Sequence, residues 1–205
     1  MPEGEASGFY EVVAGRRSIR RFTEASVPDE TVWRIFAAAC RAPSAHNRQP
    51  WRFVVLGRSE ARRRLVERMT ARWRADLEAD GLPAAEVERL LQRNEERLLK
   101  PPLTILVLLT MEDMDAYPDP RRRTAERTMA IQSVAMAGGQ LLLAAQAEGL
   151  GACWICGPLF VPELVRETLE LPESWEAQGV IALGYPLEAG RERERRPVEE
   201  VVLWR

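Results

Sequence analysis

A chain of 205 residues, 46% of them hydrophobic, is long enough to bury one sizeable core and too apolar for a disordered class. Its 29 basic residues stand against 31 acidic ones, a formal charge of -2, and this near balance gives no field that would draw a nucleic-acid backbone or a membrane surface. The N-terminus is short and acidic, without the basic start and apolar run of a secretory signal, so a cytoplasmic location is expected.

In chain order, a tail (1–9) leads to a single domain (10–205), whose first element is a short helix ending at Gly15. Arg16-Arg17-Ser18-Ile19-Arg20-Arg21-Phe22 follows, packing four guanidiniums and a hydroxyl into a few residues. Arginine forks offer paired, charge-assisted donors to phosphate oxygens, and a serine hydroxyl completes such a shell. A solvated basic face is the alternative. Pro28-Asp29-Glu30 opens a helix running to about Arg41, with Pro28 suited to a first helical turn.

Next comes a proline-bracketed polar loop, Ala42-Pro43-Ser44-Ala45-His46-Asn47-Arg48-Gln49-Pro50-Trp51. Asn47 and Gln49 each present a donor and an acceptor, which suits the edge of a heterocycle, and Ser44 can play either part. Ordinary turn chemistry is the alternative. Residues 51–56 read as a buried strand. Ser59 caps a charged amphipathic helix to about Asp80, Gly81-Leu82-Pro83 breaks it, and a second helix reaches Leu99. Both helices of this insertion (59–100) look like solvated coverings.

Residues 103–110 are a short, fully apolar run typical of a central strand. From about Pro120 to Gly149 runs a long helix, small and apolar on nearly all sides. Gln132, Ser133, Gln140 and Gln146 interrupt it, which argues for a buried helix over a membrane span. One protomer would leave part of it uncovered, and a second copy of the chain would cover the remainder. In Gly149-Leu150-Gly151-Ala152-Cys153-Trp154-Ile155, two glycines let backbone pass close to a flat ligand; the plainer reading is a helix C-cap entering a strand (152–155). A helix over 162–170 and a strand over 178–185 complete the domain. The arm (190–205) ends in Val201-Val202-Leu203-Trp204, too apolar for water, and is expected to dock on a partner subunit.

The motifs RRSIRRF, PSxxNxQPW and GLGxCW, in this order and spacing, resemble the FMN-dependent nitroreductases over residues 10–204. Within that superfamily, the Ala116-Tyr117-Pro118-Asp119 motif with its following arginines, Glu126, Met129 and the Leu-Phe-x-Pro turn at 159–162 are most similar to the flavin-binding C-terminal domain of the bifunctional coenzyme F420:L-glutamate ligase. The resemblance implies an α+β fold: a central mixed or antiparallel sheet flanked by helices, in an intertwined homodimer that exchanges C-terminal arms and shares its two flavin sites.

It further implies that Arg16, Arg17, Ser18 and Arg20 line the FMN phosphate, ribityl chain and pyrimidine edge. Pro43, Ser44, Asn47 and Gln49 belong to the loop meeting the ring, Gly149, Leu150 and Gly151 offer backbone groups, and Arg193 and Arg195 close over the phosphate. Asn94 and Arg97 sit where some members place further flavin contacts. No protein side chain need act as a catalytic acid or base, since flavin N5 carries the hydride between NAD(P)H, or reduced F420, and a nitroaromatic, quinone or F420-precursor-like acceptor. His46, Tyr117 and Arg121 are the candidate acceptor contacts.

Rival readings remain open. The fold family also hosts an oxygen-using enzyme that consumes its FMN to build a benzimidazole, and an FMN-holding protein without efficient turnover would share the same motifs. Cys153-Trp154-Ile155-Cys156 is formally a C-x-x-C, yet it falls in an expected strand, where positions three apart face opposite sides. A reactive pair wants a helix N-terminus. A zinc site would have to add Cys40 and His46, which lack metal-ligand spacing.

Overall fold

The structure, a computed structural model, describes residues 5–205; residues 1–4 of the expected tail lie outside them. The elements are α1 (Glu5–Gly15), α2 (Asp29–Ala39), β1 (Trp51–Leu56), α3 (Glu60–Ala79), α4 (Ala84–Leu99), β2 (Leu103–Thr110), α5 (Pro120–Ala147), β3 (Gly151–Ile155), α6 (Pro162–Thr168) and β4 (Trp175–Gly184). Helix α1 thus starts inside the stretch expected as a tail.

β2 is the spine of the sheet, apolar from Ile105 to Leu109 and buried from Thr104 to its end. The strand order is β1-β2-β4-β3, and every pairing between these strands is antiparallel. Successive side chains point to opposite faces. Ile105, Val107 and Leu109 therefore pack with Ile181 and Leu183 against α2 and α5, while Leu106 and Leu108 pack with Ala177 and Val180 against α3 and α6. Helices on both faces explain why β2 reads as a continuous apolar run.

Helix α5 buries one stripe, including Glu126, Ala130, Ser133, Ala137, Leu141 and Ala145. Its length and composition would suit a membrane span, but this stripe belongs to the core under the sheet, as expected for a buried helix. Ile131 and Met136, on other sides, are exposed.

The structure departs from the sequence reading at three further places. Pro28 lies just before α2 in an extended conformation, as its cap, and Asp29 takes the first helical position. β4 starts at Trp175, three residues early, because Gln178 is a bulge between Gly179, opposite Val107, and Ala177, opposite Leu108. The α3–α4 hairpin is more than a solvated covering. Leu65, Val66, Met69 and Leu98 enter the core on the α6 side, and Leu77, Val87 and Leu91 form a small core of their own.

Ser59 accepts from Arg62 N (3.3 Å) and starts α3, as its side-chain chemistry dictates. Arg62 itself is buried, and its guanidinium donates to the carbonyls of Leu99, Pro101 (2.7 Å), Pro102 (3.4 Å) and Gly57 (3.4 Å). Burial, with repulsion from Arg58 behind it, pushes this guanidinium down to about 10, still charged at neutral pH. It ties the end of α4 to the start of β2. Arg62→Met should cost about 2–4 kcal/mol by orphaning those carbonyls, and Arg62→Lys should recover only part of it, since an ammonium cannot reach four acceptors with a planar fork. Urea unfolding of the three proteins measures both effects.

Trp154 lies between two glycines: a Cβ at Gly138 would fall 2.1 Å from its Cζ3, and one at Gly179 would fall 2.8 Å from its Nε1. The arm contains a single 3-10 turn, Val198–Glu200, and leaves Val198, Val201, Leu203 and Trp204 exposed, Trp204 at 91%.

Candidate active site

The arginine motif leaves α1 and runs alongside the edge of the sheet. Ser18 bridges Ala152 of β3 in parallel, Ile19 N donates to Ala152 O (3.1 Å), and Leu187 N donates to Arg21 O (3.0 Å). Buried Ile19 anchors the segment so closely that a Cβ on Gly151 would lie 2.7 Å from it. A Cβ on Gly190 would lie 2.4 Å from Arg17 Cβ. These two glycines permit the close approach that brings the N-terminal motif, β3 and the arm to one place.

The result is a cavity of about 590 Å³ whose lining includes eight arginines and one carboxylate, Glu188. Arg16, Arg17 and Arg97 are half-buried at its floor, while Arg20, Arg21, Arg191, Arg193 and Arg195 are exposed at its rim. From the arm, Arg191, Arg193 and Arg195 all line this cavity. Arg17 pairs with Glu192 (3.2 Å) and Arg21 with Glu188 (3.5 Å). Arg20 and Arg195 reach only neighbouring carbonyls. The guanidiniums of Arg16, Arg97, Arg191 and Arg193 have no hydrogen bond or ion pair among the described residues. Burial first, then repulsion from Arg93 and Arg20, lowers the Arg97 pKa. Such crowding of cations is unfavourable unless an anion joins them, which is the fit expected of a phosphate site.

One helical turn before Arg97, Asn94 lines a second cavity of about 480 Å³, with Met69, Trp73, Ile155, Gly157 and Phe160 among its walls. Residues three apart on a helix are surface neighbours, so α4 borders both spaces. β3 runs between them: its Ala152 is bridged to Ser18, which lines the first space, and its Ile155, about 10 Å further along the strand, lines the second. The second space is mostly apolar and carries the amide of Asn94 and the Arg72–Asp76 ion pair (3.1 Å). Gly149, Leu150 and Gly151 line a third, adjoining space of about 330 Å³ together with Arg17 and Gly190; Gly149 has φ 73°, which caps α5.

The loop of Pro43, Ser44, Asn47 and Gln49 lies elsewhere. His46, Asn47 and Gln49 all have positive φ (49°, 55° and 51°), an unusual density of left-handed non-glycine residues. Ser44 Oγ accepts from Gln49 N (3.1 Å), Ala45 N donates to Ser133 Oγ (3.3 Å) on α5, and Arg48 pairs with Asp115 (2.6 Å). These contacts hold the strained turn and leave His46 and Asn47 exposed. Thr110 N donates to Pro50 O, which places the loop at the far end of β2, whereas the arginine motif lies level with Leu103 through Ala152 and Leu183. Seven residues of strand separate those levels, on the order of 20 Å. One protomer therefore does not bring the loop to the arginine cavity.

Tyr117 and Arg121 are on the loop's side of the molecule, tied to it by the Arg48–Asp115 pair and by Asp115 N donating to buried Glu126 (3.1 Å). Arg122 stacks 5.0 Å from the Tyr117 ring centroid and pairs with Asp119, leaving Arg121 exposed with no side-chain partner among the described residues. Buried Cys153 in β3 and exposed Cys156 beyond it are free thiols.

Sequence reasoning counted Arg21 within the basic motif without giving it a separate role, and passed over Arg191, Ile155 and Gly157. The basic composition of the arm around Arg193 and Arg195 would have pointed to Arg191, whereas the wall formed by Ile155 and Gly157 depends on where α3 and α4 come to rest.

Comparison with known proteins gives a concordant result. An NADH dehydrogenase of Thermus thermophilus is 34% identical over 215 residues, covering 93% of this chain and 92% of that protein. A 5,6-dimethylbenzimidazole synthase of Rhodospirillum rubrum is 32% identical, covering 91% and 82%. A solved structure from Desulfovibrio desulfuricans, described as a nitroreductase in complex with FMN, superposes with a TM-score of 0.75 at 27% identity over 96% of each chain. The nitroreductase family profile matches residues 13–185, from the end of α1 to the residue after β4, and the chain belongs to that family.

Proposed function

We propose that the chain is an FMN-dependent oxidoreductase that passes a hydride from a reduced nicotinamide cofactor to a small oxidised acceptor. The observation that carries this reading is the arginine cavity with a mostly apolar, amide-bearing cavity beside it, both bordered by α4. A phosphate with an attached flat heterocycle has that distribution of charge and shape. The FMN held by the Desulfovibrio relative and the NADH named for the Thermus protein agree with it.

Arg16, Arg17, Ser18, Arg193 and Arg195 hold the phosphate end of the cofactor, with Arg97 at the floor. Asn94 offers its amide to the heterocycle edge, Arg20 compensates negative charge gained on reduction, and the apolar walls exclude water. Bound FMN supplies reversible two-electron chemistry, which asks the protein for position more than for an acid or base. The Pro43–Gln49 loop serves the site of the other subunit in a homodimer, consistent with its place at the opposite end of the sheet and with the exposed apolar arm. His46, Tyr117 and Arg121 then face the acceptor; an anionic acceptor related to F420 precursors, with NAD(P)H or reduced F420 as donor, is the finer form of the reading.

Oxygen-dependent fragmentation of the flavin is a second reading, favoured by the Rhodospirillum relative. Purified protein should be yellow and should oxidise NADH or NADPH steadily with a quinone or nitroaromatic acceptor. Absence of donor turnover, with loss of the flavin absorbance in air, would give the function to the second reading. Flavin that stays oxidised with every donor would leave a binding protein.

A further inference from the structure

The arginine cavity carries more positive charge than one phosphate requires. After Glu188 and Glu192, the carboxylates paired with Arg21 and Arg17, and after a phosphomonoester of about two charges, about four of its eight guanidiniums have no counter-ion. Part of the surplus is at the rim, where Arg191 is exposed and without a partner among the described residues. Arg21, though paired with Glu188, is 67% exposed and holds that carboxylate at 3.5 Å, a solvent-screened contact that a more highly charged anion can displace. Floor and rim differ in depth, so a ligand buried against Arg16, Arg17 and Arg97 leaves the rim cations facing whatever enters over it. The apolar cavity, where the reacting ring is read to lie, neighbours the arginine cavity across α4, on which Asn94 and Arg97 stand one turn apart.

We infer that Arg21 and Arg191 bind a second phosphorylated ligand: the diphosphate bridge of the dinucleotide hydride donor, laid over the rim while its nicotinamide reaches the ring. The inference rests on the reading of the floor as the cofactor's phosphate site. Anionic recognition at a mobile-donor site differs from cofactor retention, because the donor must leave in each cycle. Exposed, solvent-screened guanidiniums suit that weaker, exchangeable contact.

The test is a holoprotein carrying Arg21→Ser and Arg191→Ser, assayed with NADH, with NADPH, and with 1-methyl-1,4-dihydronicotinamide, which has the same reactive ring and no phosphate. Retention of FMN at the parent's stoichiometry is expected, with KM for NADH and NADPH raised about ten-fold and kcat little changed, as for the loss of charge-assisted contacts. The phosphate-free donor should be oxidised by variant and parent with equal kcat/KM. Inorganic pyrophosphate should compete with NADH in the parent and much less in the variant.

An unchanged KM for NADH, or an equal loss with the phosphate-free donor, would overturn the inference. Release of FMN would overturn it too, by assigning both arginines to the cofactor. If the parent oxidises none of the three donors, the nicotinamide-donor reading itself fails, a result distinct from any change between parent and variant.

Discussion

Replacing Arg16 and Arg195 together by alanine should yield protein that elutes colourless from gel filtration. On the proposed reading each residue contributes a charge-assisted contact to the phosphate from a different end of the chain; Arg16 lies at the half-buried floor of the cavity and Arg195 at its rim. Such contacts are worth about 1.5–3 kcal/mol each, so the pair should weaken FMN binding on the order of a hundred- to ten-thousand-fold. Riboflavin has the same ring without the phosphate, and its weaker binding should hardly change. That contrast separates loss of the anion site from loss of the fold. Arg63→Ala, on the exposed side of α3 where Arg63 pairs with Glu60, should retain the colour. Stoichiometric FMN in the double variant would refute the phosphate assignment.

Gly138→Ala should be the most damaging single-methyl addition in the chain. Its Cβ would sit 2.1 Å from the six-membered ring of Trp154, far inside contact distance, and the indole cannot swing away because Gly179 marks its other side. Overpacking of this kind costs about 3 kcal/mol. The cause is testable by a double-mutant cycle: in a Trp154→Ala background the penalty should vanish, giving a coupling energy of about 2–3 kcal/mol. Equal destabilisation in both backgrounds, measured by urea unfolding, would place the fault outside the contact with Trp154, since helix propensity alone favours alanine over glycine in α5.

Much of the architecture was legible because its signals are local. The apolar run of β2, the Ser59 cap and the Asp119–Pro120 start of α5 each follow from a few adjacent residues, and each element falls where those residues put it. The start of β4 was missed because a bulge is a property of two strands in register, and nothing in Trp175-Glu176-Ala177 announces it. The inner face of the α3–α4 hairpin was masked by the surrounding charge: Arg62 sits in a run of arginines, and only tertiary packing distinguishes it from Arg63 and Arg64.

At the site, the sequence pointed to arginines from both ends of the chain, and the structure gathers Arg16, Arg17, Ser18, Arg20, Arg97, Arg193 and Arg195 around one cavity. It separates Asn94 into the neighbouring space, and Gly149, Leu150 and Gly151 into the third. The Ser44–Gln49 loop motif gave no hint of its distance from the arginines, because position along a sheet is set by strand register, which motif spacing does not encode.

The cavity closes only when residues near position 16 meet residues near position 190, yet all four strands are complete by Gly184. The sheet therefore takes no strand from the segment that carries the last basic residues. On the proposed reading that segment serves capture of the cofactor alone, and a polypeptide trimmed just beyond the last strand would keep its scaffold while remaining pale.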